Sequence, residues 1–251
     1  MSIQVYFDQA IGEIPSTPTD LYADIPVQAE KVLLNWAEHL GTPIAYIQEH
    51  NGRLLQNIFP VKSMEDDQIS SSSKVQLGLH TETAFHPHKP NYVLLLCLRS
   101  DAAALTTYAS LNEILPKLPI QTIKILKQKW FTTTIDQSFR LQGERDKTIT
   151  MAVLTDNGIT YDETLMKGIN LTAQKALVEL NTAITKSTHA ICLHAGDLAV
   201  IDNSTTVHGR SPFSARYDGS DRWVVRAMVL RNPPIDEMNG STVMTTFDDP
   251  F

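Results

Sequence analysis

His80 and Glu82 stand two residues apart in the stretch Leu77-Gly78-Leu79-His80-Thr81-Glu82-Thr83-Ala84-Phe85. On a β-strand, residues two apart share a face. An imidazole and a carboxylate can therefore aim at one point while Thr81 faces away. A second histidine would complete a two-histidine, one-carboxylate set, which leaves positions on a ferrous ion open for an organic co-substrate and O2. The best candidate is His208, 128 residues on, in Asn203-Ser204-Thr205-Thr206-Val207-His208-Gly209-Arg210-Ser211-Pro212. A His-x-Glu triplet alone is a weak signal, since most such triplets are ordinary surface or core residues. The same donors suit zinc, so a metal hydrolase is a competing reading.

The elements that must position these groups are mostly short and extended. Residues 27–40 read as an amphipathic helix, with Val27, Val32, Leu33, Trp36 and Leu40 at helical spacing and Gly41 after it. Residues 42–47 and 54–60 are strand-like. Residues 92–98 are apolar on both faces, the mark of a strand covered on both sides. Residues 105–108, 131–135 and 148–154 are further strands, rich in β-branched residues. Ser110-Leu111-Asn112-Glu113 has the capping-box pattern and opens a short helix that Pro116 and Pro119 interrupt. Residues 120–130 suggest a second helical segment. The clearest helix begins at Leu171 and runs to about Lys186, with Ala173, Ala176, Leu177, Leu180 and Ile184 as its inward stripe. Strands at 189–193, 198–201 and 222–230 follow, before a loose tail from Asn232. No repeat or linker divides the chain, so residues 1–251 are expected to form one domain. The fold expected is mainly β with peripheral helices, a distorted double-stranded β-helix or jelly roll. The polar segment 62–76 is either an exposed loop or a lid that orders over bound substrate.

Composition narrows the function. With 251 residues, 42% hydrophobic and 20% charged, the chain has the profile of a soluble globular protein. Its net charge of -7 argues against nucleic acid or an anionic membrane as partner, and favours a small molecule. No apolar run approaches a membrane span, and the first residues lack the pattern of a signal peptide. Cys97 and Cys192 read as small core residues, not a disulfide framework, so the cytoplasm is the expected compartment.

Two longer patterns add to the triad: His80-Thr81-Glu82 ahead of an aromatic-containing loop and a leucine-rich strand, and His208-Gly209-Arg210-Ser211-Pro212-Phe213 ahead of Asp221-Arg222-Trp223-Val224-Val225-Arg226. With Thr107 27 residues after His80, and Arg222 14 residues after His208, the chain resembles the clavaminate synthase-like branch of the iron(II)/2-oxoglutarate dioxygenases. This branch lies in the TauD-like superfamily. The resemblance spans residues 56–230 and is closest to the free amino-acid hydroxylases, those acting on arginine and asparagine among them. It implies Fe(II) held by His80, Glu82 and His208, with 2-oxoglutarate and O2 as co-substrates.

An arginine suits the remote carboxylate of 2-oxoglutarate because it stays charged and offers a two-pronged donor pair. The resemblance gives this part to Arg222, with the Thr107 hydroxyl beside it. Thr106 takes over from Thr107 if the strand is phased one residue differently. Arg226, four residues after Arg222, shares its face on a strand. The resemblance makes Arg226 the holder of the substrate α-carboxylate. Gln56, in Gln56-Asn57-Ile58-Phe59-Pro60, and Glu82 would then hold the α-amino group. Asp162, with Glu163 beside it, either selects a basic side chain such as that of arginine or lysine, or is an acidic surface turn.

The expected activity is hydroxylation of an unactivated C–H of a free L-amino acid, in specialised-metabolite or antibiotic biosynthesis. Desaturation or cyclisation by the same chemistry stays open. The presence of Glu82 argues against halogenation, because related halogenases carry a small residue in place of that carboxylate. Oligomeric state is not indicated. His86 and His88 are expected in a solvent-facing loop, His189 and His194 to pack or cap. Asp197 or Asp202 is a candidate hydrogen-bond partner for a ligand imidazole.

Overall fold

The apolar run Tyr92–Arg99 is buried on both faces because it lies inside the largest of the antiparallel sheets. In the computed structural model, residues 3–139, 148–233, 238–239 and 243–244 are described. The strands from the first half are β1 (Ile3–Tyr6), β2 (Thr42–Ile44), β3 (Leu55–Ile58), β4 (Leu77–His80), β5 (Tyr92–Arg99), β6 (Thr106–Ser110) and β7 (Phe131–Thr134). The second half adds β8 (Thr148–Met151), β9 (Leu154–Thr155), β10 (Gly158–Ile159) and β11 (Lys167–Gly168). Then come β12 (His189–Ile191), β13 (Leu198–Asp202), β14 (Thr206–Arg210), β15 (Trp223–Leu230) and a final two-stranded pair, β16 (Met238–Asn239) with β17 (Val243–Met244). The helices are α1 (Val27–Leu40), α2 (Leu111–Ile114), α3 (Ile120–Leu126) and α4 (Leu171–Thr185).

The major sheet has the order β1-β13-β5-β15-β2, with β3 also paired to β15; the minor sheet has the order β12-β6-β14-β4. Strand alternation sorts the side chains of each sheet. On β5, Leu94, Leu96 and Leu98 turn outward and pack with Ala29, Leu33 and Ala37 of α1. Val93, Leu95 and Cys97 turn inward, with Val224 of β15 and Ile191 of β12. On the minor sheet, Leu79, Ala109 and Val207 face outward into a core with Ala173, Ala176, Leu177, Leu180 and Ile184 of α4. These five are the stripe expected from the sequence. Asn170 caps α4 by accepting a hydrogen bond from the Ala173 N–H at 2.8 Å. His80 and His208, out of phase with Leu79 and Val207, turn toward the major sheet. The result is a jelly roll with helices outside both sheets.

Several local expectations are revised. Ser110 makes no side-chain cap at α2, and Glu113 instead meets the His189 imidazole at 3.0 Å. Residues 148–154 do not form one strand: β8 pairs β7, and β9 pairs β10. His86 is buried rather than solvated, its ring 4.8 Å from that of Tyr46. Segment 62–76 is tied down. Val61 N–H donates to Ser71 O and Lys74 N–H to Glu65 O, both at 2.9 Å, and Ser71, Ser72 and Ser73 are buried. Arg210 of β14 donates to Ser70 O, Ser72 O, Ser72 Oγ and Val75 O of the same segment. The tail expected from Asn232 lies mostly outside the described residues. Among the described residues, no helix is long and apolar enough to cross a membrane.

Candidate active site

His80 ends β4, and its register partner across the sheet is His208 of β14. Partners in an antiparallel pair project to the same side, which brings the two rings to 4.7 Å between centroids. Glu82 follows in the turn after β4, with Oε2 3.6 Å from His208 Nε2. Ligand atoms of His80, Glu82 and His208 lie within 4.8 Å of one another, the one such cluster among the described residues. His80 Nδ1 lies 2.8 Å from Gly78 O. A carbonyl only accepts, so Nδ1 carries the proton and Nε2 keeps a lone pair for a metal. Burial holds the His208 imidazole below its ordinary range, in the neutral form that a ligand requires. Two neutral imidazoles and a carboxylate on one face suit a ferrous ion. The site residues present therefore fit the metal.

Two features hold this arrangement. Gly209 separates His208 from Arg210, and a Cβ there would fall 2.5 Å from Leu77 O. Only glycine allows β14 to approach β4 this closely. Asn203, fully buried, accepts from the Glu82 N–H at 2.7 Å and donates to Glu82 O and Pro90 O. It ties the Glu82 turn to the segment that leads into His208. The turn also bends through Thr83, a β-branched residue at φ 48°, a conformation such residues rarely adopt.

Arg226 of β15 enters the same space from the opposite sheet. It donates to Glu82 Oε1 at 2.9 Å, to Glu49 Oε1 at 2.5 Å, and to Gln56 Oε1 from both Nε and Nη2. Burial opposes the charge on Glu82, but the Arg226 guanidinium, aided by His208 and His80, outweighs it and holds the carboxyl well below the usual range. Four of the five guanidinium donors are thus engaged, leaving one on Nη1. Gln56 was expected to hold an α-amino group. It lies behind Arg226, outside the cavity lining, with its carbonyl already taken. Glu49, which sequence reasoning missed, does line the cavity, and its Oε2 is buried without a partner. Burial raises the pKa of Glu49.

Arg222, just before β15, is 7% exposed and lines the cavity. No described residue gives it a hydrogen bond or ion pair; burial alone shifts it down, only partly offset by distant thiols and Asp101. Thr106 lines the same cavity, and Thr107 does not. The register explains this: Thr106 pairs with Arg210, while Thr107 pairs with Gly209 and so projects to the other side of the sheet. The phase assumed for Thr107 is therefore off by one.

The cavity is also lined by Asp162 and, unforeseen from the sequence, Asp136. Asp162 pairs with His80 through a backbone bridge. Glu163 is turned away, its Oε2 accepting from the Leu79 N–H at 2.9 Å. Asp197 and Asp202 do not reach a ligand imidazole. They accept from the N–H groups of His194 and Ser204, and His208 Nδ1 has no partner among the described residues.

The model of the family described as taurine catabolism dioxygenase TauD, TfdA family matches residues 24–228. An L-lysine 3-hydroxylase of Catenulispora acidiphila is 35% identical over 232 residues, covering 88% of this chain and 64% of the relative. An L-asparagine oxygenase of Streptomyces coelicolor is 39% identical over 204 residues, covering 79% of this chain and 61% of the relative. The chain thus spans somewhat less than two thirds of the length of these relatives. Among solved structures, asparagine oxygenase in complex with Fe(II), (2S,3S)-3-hydroxyasparagine and succinate superposes with a TM-score of 0.90 at 32% identity, covering 98% of this chain and 80% of that one.

Proposed function

The chain belongs to the taurine catabolism dioxygenase TauD, TfdA family, and from that premise we propose that it is an Fe(II)- and 2-oxoglutarate-dependent oxygenase hydroxylating an unactivated C–H of a free L-α-amino acid. The observation that carries this reading is the buried, unpaired Arg222 guanidinium opening onto the same cavity as the His80, Glu82 and His208 cluster. A buried cation costs several kcal/mol unless an anion meets it. The remote carboxylate of a keto diacid supplies that anion, with the Thr106 hydroxyl as a further donor. A jelly-roll metal hydrolase would leave Arg222 without purpose.

When bound, Fe(II) and 2-oxoglutarate supply the oxidising chemistry, consuming O2 and releasing succinate and CO2. His80, Glu82 and His208 would hold the ion, and a set of only three protein donors would leave it able to take the co-substrates. Arg226 and Glu49 receive the amino acid. The free donor on Arg226 Nη1 takes the α-carboxylate, and the unpartnered Glu49 Oε2 takes the α-ammonium. Charges then alternate along the contact, and no buried ion is left alone. Gln56 acts by orienting Arg226. Leu95 and Val224 form apolar wall and keep water from the target carbon.

The named relatives act on free amino acids, lysine and asparagine, which supports this substrate class. Asp162 favours a basic side chain. Desaturation or cyclisation would follow from the same site with a different substrate pose. Specialised-metabolite biosynthesis is the setting we favour, in the cytoplasm, a reducing compartment that suits two free cysteines.

A screen of free L-amino acids with Fe(II), ascorbate and 2-oxoglutarate tests the reading. A product heavier by one oxygen, with stoichiometric succinate, is expected from at least one of them. No product from any free amino acid, together with oxidation of a carrier-bound or peptide residue, would reject the free-substrate part. Absence of succinate with every substrate would reject the oxygenase.

A further inference from the structure

Resting on that reading, we propose that the amino acid ends in a primary ammonium, as lysine and ornithine do, and that Asp136 and Asp162 together receive it. Both acids line the cavity, and the charge of Asp162 bears on Asp136. Each spends one oxygen on its own loop. Asp136 Oδ1 accepts from Ser138 N–H at 2.9 Å and Ser138 Oγ at 3.1 Å. Asp162 Oδ1 accepts from Thr164 N–H and Oγ1, both at 2.8 Å, and from Leu165 N–H at 2.7 Å. The Oδ2 of each accepts from no described residue. The site therefore offers one free oxygen from each of two carboxylates.

That arrangement discriminates between cations. A guanidinium is a planar fork matched to both oxygens of a single carboxylate. An ammonium has three diverging donors and takes single oxygens from separate groups. Two carboxylates with one oxygen apiece fit the second and not the first.

Glu49 and Arg226 fix which way the amino acid lies. Glu49 carries a buried oxygen without a partner, beside the Arg226 cation, so a zwitterionic head is held there and its side chain runs toward Asp136. Asp136 lies close enough to bear on the charge of both Glu49 and Arg226. Burial also raises Asp136 above the usual carboxylate range, and a cation beside it would relieve that cost.

Charge balance separates basic from neutral substrates. The cavity lining carries four carboxylates against three guanidiniums, one negative charge in excess. A ferrous ion and the dianion of a keto diacid cancel each other. A lysine zwitterion brings one positive charge and neutralises the remainder, whereas asparagine would leave a buried carboxylate unmatched.

The test pairs competition with binding. Equimolar L-lysine, L-ornithine, L-arginine, L-asparagine and L-norleucine are offered to the protein with Fe(II) and 2-oxoglutarate, and products are read by mass. The same amino acids are titrated calorimetrically, without O2, into protein loaded with Mn(II) and 2-oxoglutarate. Lysine or ornithine is expected to outcompete arginine by about tenfold and norleucine by about 30-fold, since norleucine has the same carbon chain with no charge to pair. Asp136→Asn should shrink the lysine-to-norleucine ratio by about tenfold, and Asp136→Glu should restore part of it. Asp162→Asn gives the same readout should the Asp136 variants not fold. Preference for arginine or asparagine, or equal weakening of lysine and norleucine, overturns the assignment. Failure to bind Mn(II) and 2-oxoglutarate at all would instead overturn the oxygenase reading, and this inference with it.

Discussion

On the proposed reading, Arg222 serves function at the expense of stability. With no hydrogen bond or ion pair from a described residue, and burial only partly offset by Asp101 and the thiols, its guanidinium is desolvated with little return until an anion arrives. Arg222→Ala is therefore expected to weaken 2-oxoglutarate binding by about 100-fold or more, measured by calorimetry on Mn(II)-loaded protein. The same variant should melt at a higher temperature than the parent when no ligand is present. A variant that melts lower would mean that Arg222 is already paired in the empty protein. The triad and Arg222 could be found from the sequence because each lies on or beside a strand, where spacing translates directly into direction. Thr106 and Glu49 could not. Two adjacent threonines fit either phase of β6, and only the pairing to β14 decides between them. Glu49 sits ahead of a turn through His50 and Asn51, both at positive φ, which no periodic pattern announces. Gln56 is reassigned for a related reason. Its strand was legible, but the engagement of its carbonyl by Arg226 depends on the register of β3 against β15.

At the scale of elements, the site depends on how closely β4 and β14 can run. Gly209→Ala would drive a methyl group toward the Leu77 carbonyl. The expected cost is about 1–3 kcal/mol, and a loss in metal affinity should accompany it because His80 and His208 are the paired residues beside the contact. Urea unfolding and a Mn(II) titration would measure the two effects. Unchanged metal affinity in a destabilised variant would show that the strands separate elsewhere. Helix α4 was clear from its stripe, whereas α1 was clear in its bounds but not wholly in its face: Val27 is exposed, and Ala29 and Ala37 are buried with Leu33. The capping box at Ser110 and the long strand at 148–154 were not clear, since tertiary partners overrode the local pattern: Glu113 goes to His189, and β8 and β9 diverge to different neighbours.

For the whole molecule, burial holds two histidines out of their ordinary ionisation. Burial pushes His86 down to about 3 and His50 down to about 4. Below the ordinary histidine range, near 6.5, the unfolded chain then binds more protons than the folded one, so stability is lost as the pH falls. The slope should approach about 1.4 kcal/mol per pH unit for each such histidine. Urea titrations at pH 7, 6 and 5 would measure it, and His86→Gln should remove about one proton from that slope. An unchanged slope would place the acid sensitivity elsewhere. The jelly roll itself was readable from many short strands and few helices. The order of strands within the sheets, and hence which loops meet at the cavity, was not, because pairing between distant segments leaves no mark on either one. One guanidinium, that of Arg226, touches both Glu82 of the proposed metal set and Glu49, the acid proposed to face the amino acid. On the proposed reading, ion and amino acid do not load independently. Whatever factor one adds to the other's affinity must be returned in equal measure, so a titration with the amino acid alone already carries a record of whether the iron is in place.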